Sequence, residues 1–244
     1  MSLPVLTPNA WLRWDIVRRH LRSLPTGRRI LELGMGQGAV GARLAALGAY
    51  TGVEPDSESQ AVARARLPKR ARILRDSSEL DPSEKFDVVC AFEVLEHIED
   101  DLGAARAWAA HLEAGGDLVI SVPAHAERFA AADRLAGHFR RYSRGDLADL
   151  VEAVGLDLIT IDATGFPLGY LLEYGRNQIA GRRQDRLSSI EEQTAASGRF
   201  LQPPDALAPV TQAATYPFRV IQRATRHTQL GTGWVAIARR TTTT

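Results

Sequence analysis

The stretch ILELGMGQGAV, residues 30–40, decides the fold because an apolar run leads directly into three closely spaced glycines. An apolar segment with glycines at its end is typical of a buried strand that turns sharply into a helix. Glycine tolerates the backbone angles of such a turn, and the missing Cβ lets a ligand approach the main chain. The stretch therefore predicts a strand, a ligand-contacting turn and a helix.

Two glycine spacings overlap in this stretch and indicate different ligands. Gly34, Gly36 and Ala39 satisfy the G-x-G-x-x-G/A fingerprint of dinucleotide-binding folds. Glu32 followed by Gly34, Gly36 and Gly38 satisfies a second pattern, in which an acidic residue precedes three alternate glycines. Residues further along the chain are needed to separate the two interpretations.

Composition and charge limit the classes of protein that the chain can belong to. Its 244 residues suit one α/β domain with an extension, and a net charge of +1 creates no general attraction for nucleic acid or membranes. The single cysteine, Cys90, excludes an internal disulfide and fits a reducing compartment. Neither a signal-peptide core nor an apolar run near the length of about 20 residues of a membrane span is present. We expect a cytoplasmic protein, monomeric or homodimeric, with no transmembrane segment.

Short apolar runs alternate with helical stretches, which predicts an α/β fold with a doubly wound parallel sheet. Strands are predicted at 29–33, 50–54, 71–74, 86–93, 117–122, 156–164 and 233–240. Helices are predicted at 9–24, 39–48, 57–67, 101–116 and 143–154, with capping-box spacings at Ser57/Gln60 and Ser143/Asp146.

The predicted elements divide the chain into three parts. Residues 1–28 form an N-terminal helical cover, residues 29–164 and 233–240 form the sheet domain, and residues 165–232 connect its last two strands. That connection is longer than ordinary loops and has no obvious strand. We expect it to be a helical lid; a surface insertion that only packs is an equally plain alternative.

Motifs after the later strands separate the two cofactor interpretations. The segments ELGMGQG, GVEPD, RDSSEL, FDVVCAFEVLEHIED and LEAGGDLVISVP occur in this order along the chain. Their order and spacing resemble those of class I S-adenosylmethionine-dependent methyltransferases, in the branch of small, metal-independent enzymes that includes quinone-biosynthesis proteins. The resemblance covers residues 29 to about 164 and the final strand. It implies a Rossmann-like seven-stranded sheet with a reversed last strand, and S-adenosylmethionine as cofactor.

The resemblance also implies which residues bind this cofactor. The glycines and the backbone after the fourth strand would contact its methionine portion, one carboxylate would accept the ribose hydroxyls, and the loop after the third strand would contact adenine. The residues are Glu32, Gly34, Gly36, Gly38, Glu54, Asp76, Ser77, Phe92 and Glu93.

Methyl transfer to oxygen needs alignment of the acceptor and, where the acceptor carries a proton, a base. His97 lies in EVLEHIED, in a loop that the resemblance places on the substrate side. His138, Arg140 and Tyr142 alternate along GHFRRYS, so they would share one side of an extended loop. We take His97, His138 and Tyr142 as catalytic candidates and Arg140 as a substrate-binding one. The alternative is that His97 packs the next helix and the other three brace their loop.

Aromatic residues in the predicted lid are candidates for an acceptor pocket, Tyr170 and Tyr174 above all, although packing explains them equally simply. We expect a small-molecule acceptor, with O-methylation favoured and N- or C-methylation open. No tight carboxylate or histidine cluster for a divalent metal is evident. The acidic residues Glu96, Glu99, Asp100 and Asp101 are interpreted as the N-terminal charge pattern of a helix.

Three other functions are compatible with parts of the sequence. An RNA methyltransferase could use the basic residues Arg219, Arg223, Arg226 and His227, but AFEVLEH lacks the Pro-Pro-aromatic motif of enzymes that methylate base amines. An NAD(P)-dependent oxidoreductase would use the glycines and Glu54, but would leave RDSSEL and EVLEH unexplained. A non-catalytic member of the family is disfavoured by its intact glycine set.

Overall fold

The computed structural model describes residues 3–182 and 204–242, which are built around one seven-stranded sheet of order β3-β2-β1-β4-β5-β7-β6. The first five strands pair in parallel, and β7 runs antiparallel to both β5 and β6. The predicted α/β sheet with a reversed last strand is therefore confirmed. The strands are β1 (Arg28–Leu33), β2 (Gly48–Val53), β3 (Arg72–Leu74), β4 (Phe86–Phe92), β5 (Leu112–Pro123), β6 (Asp157–Thr164) and β7 (Gly233–Arg239).

Helices cover the two faces of the sheet. They are α1 (Pro8–Ser23), α2 (Gly41–Leu44), α3 (Ser57–Arg66), α4 (Asp101–Ala110), α5 (Ala131–Ala136), α6 (Arg144–Val154), α7 (Leu168–Gly181) and α8 (Ala208–Thr225). One hydrophobic core contains apolar residues of α1, α2 and α3, and the other contains those of α4 and α6.

The position of β4 between two hydrophobic cores explains why its residues are apolar without alternation. Val88 and Cys90 belong to the core beneath α1, whereas Val89 and Ala91 belong to the core beneath α4. All four side chains are fully buried. Successive residues of a strand face opposite sides, so a strand covered on both faces needs apolar residues at every position.

Two predicted helices are too long, and in both cases strand pairing is the reason. The helix predicted at 39–48 is reduced to α2, because Gly48 opens β2 and pairs with Arg28. The helix predicted at 101–116 ends at Ala110, because Leu112 already pairs with Phe86. Glycines at 115 and 116 therefore lie within β5 rather than after a helix.

The two predicted capping boxes have different outcomes. Ser143 accepts the Asp146 N–H and Asp146 accepts the Ser143 N–H, so the box at the start of α6 is confirmed. The prediction for α3 is wrong by one residue, because Asp56 is the cap and accepts the Ser59 N–H.

The connection between β6 and β7 contains the helices α7 and α8, so the predicted helical insertion is confirmed for its described parts; residues 183–203 lie outside them. Gln222 of α8 donates from its amide to the Leu12 carbonyl at 2.9 Å, and Arg223 donates two hydrogen bonds to Asp15. The insertion is thus attached to α1. None of the helices in residues 3–182 and 204–242 is long and apolar enough to cross a membrane.

A buried carboxylate joins α1 to the centre of the sheet. Asp117 on β5 is 1% exposed and accepts two hydrogen bonds from the Arg239 guanidinium on β7, at 2.7 and 3.0 Å. The same carboxylate contacts Nε2 of His20 on α1 at 2.8 Å. Its replacement therefore removes the charged group that joins α1, β5 and β7.

Asp117→Asn is expected to lower the free energy of unfolding by about 2 kcal/mol, because hydrogen bonds to a charged group contribute about 1.5–3 kcal/mol and the carboxylate that accepts them is buried. Glu113→Gln is the matched control: Glu113 pairs with Arg29 at 3.1 Å, but both side chains are about half exposed, and the loss should be below about 1 kcal/mol. Urea unfolding at pH 7 measures both values. Equal losses would contradict the role given to Asp117.

Candidate cofactor and acceptor site

The glycine-rich turn after β1 has the backbone geometry that close ligand contact requires. Gly34, Gly36 and Gly38 have φ angles of 65°, 53° and 73°, in the left-handed region that favours glycine. A Cβ at Gly34 would overlap the side chain of Val94, whereas a Cβ at Gly36 would meet no protein atom within 4 Å. The main chain at Gly36 therefore faces open space that a ligand can enter.

Glu54, directly after β2, holds this turn from the neighbouring strand. Its Oε2 accepts the Gly36 N–H at 2.8 Å, and its Oε1 accepts the Asp56 N–H at 2.9 Å. Burial raises the pKa of Glu54, and the two backbone hydrogen bonds oppose that rise. Its contact with a ribose stays a prediction, but the fold brings it to the glycines as the sequence spacing requires.

Glu32 lies on β1 just before the turn and is 2% exposed. Its Oε2 accepts the Tyr50 hydroxyl at 2.5 Å. Burial raises the pKa of Glu32 to about 8, although the Tyr50 hydrogen bond and the charge of Arg13 both act to lower it. At neutral pH the carboxyl group is therefore largely protonated, and its direct neighbour is a tyrosine rather than the glycine turn.

Asp76 and Ser77 follow β3 at the carboxyl edge of the sheet, and both are exposed. The Asp76 carboxylate accepts the Ser78 N–H at 2.7 Å, and this bond lowers the pKa of Asp76. Glu79 accepts the Asp76 N–H at 3.0 Å, which completes a capping box around the short turn. The side chain of Asp76 thus has a local role, and its contact with adenine stays a prediction.

The chain leaves β4 at Glu93, which has a φ of 57°, an unusual value for a residue with a Cβ. Its carboxylate accepts the Ser121 hydroxyl at 2.9 Å and pairs with Arg13 at 3.1 Å. The Arg13 guanidinium also lies 5.8 Å from the centre of the Phe92 ring. Helix α1 therefore reaches the end of β4, a contact that sequence reasoning did not assign to Arg13.

Two catalytic candidates that are distant in sequence meet at this edge. The rings of His97 and His138 lie 4.6 Å apart and nearly perpendicular. Beside them, Glu96 is fully buried, and neither of its carboxyl oxygens has a hydrogen-bond partner among the described residues. Burial raises the pKa of Glu96 and lowers that of His97 to about 4. His97 is therefore neutral at neutral pH.

These three residues also form a potential metal-binding group, which sequence analysis did not find. Glu96, His97 and His138 each offer one ligand atom, and the three atoms lie within 4.8 Å of one another. Two imidazoles and one carboxylate are donors that transition metals accept. Asp100 rather than Glu96 caps α4, by accepting the Gly103 N–H at 2.9 Å. Independence of metal stays a prediction from the sequence.

His138 is held by residues that sequence analysis did not select. Its Nδ1 lies 2.9 Å from Oδ1 of Asp133, which is 2% exposed. Hydrogen bonds from His138 and Arg141 hold the pKa of Asp133 well below its usual value, although burial opposes this. The ionised carboxylate requires a proton on Nδ1, which leaves Nε2 as the free acceptor. Nε2 lies 4.0 Å from Oε1 of Glu96.

Arg140 and Tyr142 do not join the histidines but share a different carboxylate. Arg140 pairs with Oδ2 of Asp101 at 2.6 Å, and the Tyr142 hydroxyl donates to the same oxygen at 2.9 Å. Tyr142 is 2% exposed, and its burial raises the pKa of the hydroxyl. This agrees with the alternative that these two residues brace their loop, while Arg141, between them, faces the other side.

The two tyrosines of α7 that were considered for acceptor binding differ in environment. Tyr170 is partly buried: its hydroxyl accepts the Gly231 N–H at 3.2 Å, and the Arg128 guanidinium lies 4.5 Å from its ring centre. Tyr174 is 68% exposed. Contact of either residue with an acceptor stays a prediction.

Most of the basic residues considered for RNA contact have partners inside the protein. Arg219 is 6% exposed and lies over the Trp11 ring at 5.0 Å. Arg223 is paired with Asp15, and His227 lies 3.0 Å from Asp162. Their arrangement indicates a packing role and gives no support to the RNA interpretation.

The raised pKa of Glu32 predicts a stability that depends on pH. Between its ordinary value of 4.5 and the folded value of about 8, the folded state holds a proton that the unfolded state has released. The free energy of unfolding should therefore fall as pH rises across this window, by up to about 1.4 kcal/mol per pH unit, and become level above it. Glu32→Gln should remove this contribution, because an amide does not titrate.

Urea unfolding from pH 5 to pH 9 measures the difference between wild type and Glu32→Gln. Glu113→Gln, which removes an exposed carboxylate, should keep the wild-type slope. Identical slopes for Glu32→Gln and wild type would show that Glu32 is ionised in the folded protein.

Comparison with known proteins agrees with this geometry. The family model of a methyltransferase domain matches residues 10–161, more than half of the chain. The chain is similar to the ubiquinone biosynthesis O-methyltransferase of Bradyrhizobium diazoefficiens, with 36% identity over 110 residues that cover 42% of this chain and 44% of that protein. The match therefore spans less than half of that relative.

Two solved structures share the fold at low sequence identity. The cyclase SpnF has a TM-score of 0.60 and 20% identity, over 94% of this chain and 81% of that one. The N-methyltransferase NodS from Bradyrhizobium japonicum, in complex with S-adenosylhomocysteine, has a TM-score of 0.57 and 16% identity, over 96% and 88%. A cyclase among these neighbours shows that the fold alone does not determine the reaction. The family match does determine the lineage: the chain belongs to the class I S-adenosylmethionine-dependent methyltransferases, whose cofactor is S-adenosylmethionine.

Proposed function

We propose that this protein transfers the methyl group of S-adenosylmethionine to an oxygen atom of a small-molecule acceptor. The observation that carries the proposal is the pair formed by Asp133 and His138, which leaves Nε2 of the imidazole as an acceptor 4.0 Å from Oε1 of Glu96. An oriented imidazole can accept the proton that a hydroxyl loses on methylation. Transfer to nitrogen or carbon would use the same fold with less need for this base.

The residues of the glycine-rich turn fit the cofactor. Gly36 offers main chain without a Cβ beside open space, and Glu54 is already directed at the turn through the Gly36 N–H. Bound there, the cofactor supplies a sulfonium methyl group that is already activated for attack. The protein therefore has to hold the acceptor in line and to remove its proton.

The proposed proton acceptor is His138 rather than His97. Asp133 fixes the proton on Nδ1 of His138 and can stabilise the imidazolium that forms when Nε2 accepts a second proton. His97 is neutral, and its Nδ1 has no hydrogen-bond partner among the described residues. We propose that the neutral imidazole of His97 and the buried side chain of Glu96 shape the acceptor side of the site.

The remaining parts of the chain have proposed roles that follow from their contacts. Residues 1–28 cover the cofactor side, since Arg13 reaches Glu93 at the end of β4. Residues 165–232 provide the acceptor side, since α7 carries Tyr170 and Tyr174. The ubiquinone relative acts on oxygen according to its name, which supports an acceptor with a hydroxyl group.

Substitution at Gly36 tests the cofactor site. Gly36→Ala should weaken binding of S-adenosylhomocysteine at least about tenfold, because the new Cβ occupies the space where the ligand meets the backbone. Gly155→Ala is the matched control: with a φ of 81° and no protein atom within 4 Å of the new Cβ it imposes the same backbone strain, but it lies at the end of α6 outside the glycine-rich turn, so it should only reduce stability. Calorimetric titration measures affinity, and thermal unfolding measures stability. Unchanged affinity in Gly36→Ala, or binding of NADH in place of S-adenosylhomocysteine, would contradict the assignment.

Substitution at His138 tests the proposed reaction. With labelled S-adenosylmethionine and a panel of phenols, catechols, carboxylic acids and amines, His138→Asn should reduce kcat on the responding hydroxyl acceptor by about 10²–10⁴-fold. Binding of S-adenosylhomocysteine should be unchanged. His111→Asn is the control, because His111 lies at the end of α4 and contacts the Glu84 carbonyl. Full activity of His138→Asn would exclude it as the base, and transfer to RNA alone would replace the proposal.

A further inference from the structure

Helix α7 carries a buried charge that the proposed reaction does not use. Glu173 is 3% exposed, and its carboxylate accepts hydrogen bonds from Arg128 at 2.6 Å and from Nη1 of Arg141. It directly follows the apolar run GFPLGYLL of residues 165–172. Attachment of a helix does not need such a group, because apolar residues of similar volume are often as stabilising as a buried ion pair.

Arg141 links this carboxylate to a second one. It donates from Nε to Oδ1 of Asp133 and pairs through Nη2 with Oδ2, both at 2.8 Å, while Nη1 is bound to Glu173. Burial would lower the pKa of Arg141, but Asp133 and Glu173 together raise it. The planar guanidinium therefore fixes the distance and the direction between the two carboxylates.

The chain of contacts ends at the proposed base. Oδ1 of Asp133 is the atom that both Arg141 and Nδ1 of His138 approach, at 2.8 and 2.9 Å. A displacement of the Arg141 guanidinium would therefore also displace the Asp133 carboxylate, which orients the His138 imidazole. A separate contact, from the Ala132 N–H to Oδ1 of Asn177 at 3.0 Å, holds α5 against α7 without touching these charges.

We propose that Glu173 is a positioning residue that fixes the orientation of His138 through Arg141 and Asp133, so that the placement of α7 determines whether the base is correctly directed. The inference rests on the proposed function for its catalytic meaning. Its geometry links the helix that carries Tyr170 and Tyr174 to the imidazole. Binding of an acceptor against α7 would then change the orientation of the His138 imidazole.

The experiment measures the tautomer of His138 by NMR of protein labelled with ¹⁵N-histidine, without cofactor or acceptor. The chain has six histidines, and the signal that disappears in His138→Asn identifies this residue. Wild type should show a protonated Nδ1 and an unprotonated Nε2. Asp133→Asn should abolish this preference, and Glu173→Gln should shift both resonances part of the way towards the Asp133→Asn values.

Asn177→Ala is the matched control, because it removes a contact between α5 and α7 but leaves the charges in place. It should keep the wild-type tautomer. If Glu173→Gln reduces thermal stability but leaves the His138 resonances unchanged, or if Asn177→Ala produces the same shift, the positioning role is overturned. Should Glu173→Gln fail to fold, Arg141→Lys decides the matter, because lysine keeps the charge but lacks the fork that holds both carboxylates.

This measurement is independent of the methyltransferase assay. If the His138 resonances shift in Glu173→Gln but no methyl acceptor is found, the positioning role of Glu173 is retained and only its catalytic meaning has to be revised. An active enzyme whose His138 resonances ignore Glu173 would keep the proposed function and remove this inference.

Discussion

Burial of β1 and β4 in the centre of the sheet is the constraint on which the rest of the structure depends. The strands pair in parallel from Ile30 with Val88 to Leu33 with Ala91, and helices cover both of their faces. Parallel pairing makes both strands end at the same edge. Backbone pairing therefore brings the glycine-rich turn and Glu93 to the same edge of the sheet, whatever the side chains around them.

Charge is distributed unevenly around this edge. Burial raises the pKa of Glu32 and Glu96 and lowers that of His97, whereas hydrogen bonds from His138 and Arg141 keep the pKa of Asp133 low. Neighbouring groups with opposed shifts of pKa are characteristic of functional sites. Burial also strengthens the electrostatic effect of the Asp133 carboxylate, because the surrounding protein screens its charge less than water does.

Sequence patterns predicted the sheet well because they report on burial. The apolar middle of β4 and the acidic residue after β2 follow from period and order, whereas the reversed last strand was expected from the resemblance to the methyltransferase family. The errors occur where a distant strand competes with local preference: Leu112 pairs with Phe86 and so ends α4 early. Alternation along 138–142 predicted one shared side for His138, Arg140 and Tyr142. In the structure His138 contacts Asp133 together with Arg141, whereas Arg140 and Tyr142 contact Asp101. The burial of Glu96, which was interpreted as a helix N-terminal charge, was not predicted, because a carboxylate in sequence looks the same whether solvated or buried.

The antiparallel strand β7 determines where the insertion between β6 and β7 joins the sheet. Thr164 at the end of β6 pairs with Gly233 at the start of β7, and the Thr232 N–H donates to the Thr164 carbonyl at 2.8 Å. The insertion therefore leaves the sheet and returns to it at neighbouring points, at the carboxyl end of β6. The entropy of closing a flexible loop grows only with the logarithm of its length, at about 0.6 kcal/mol for each doubling. Variation can therefore lengthen or shorten this segment at little entropic cost, while the strands on either side of it keep their pairing.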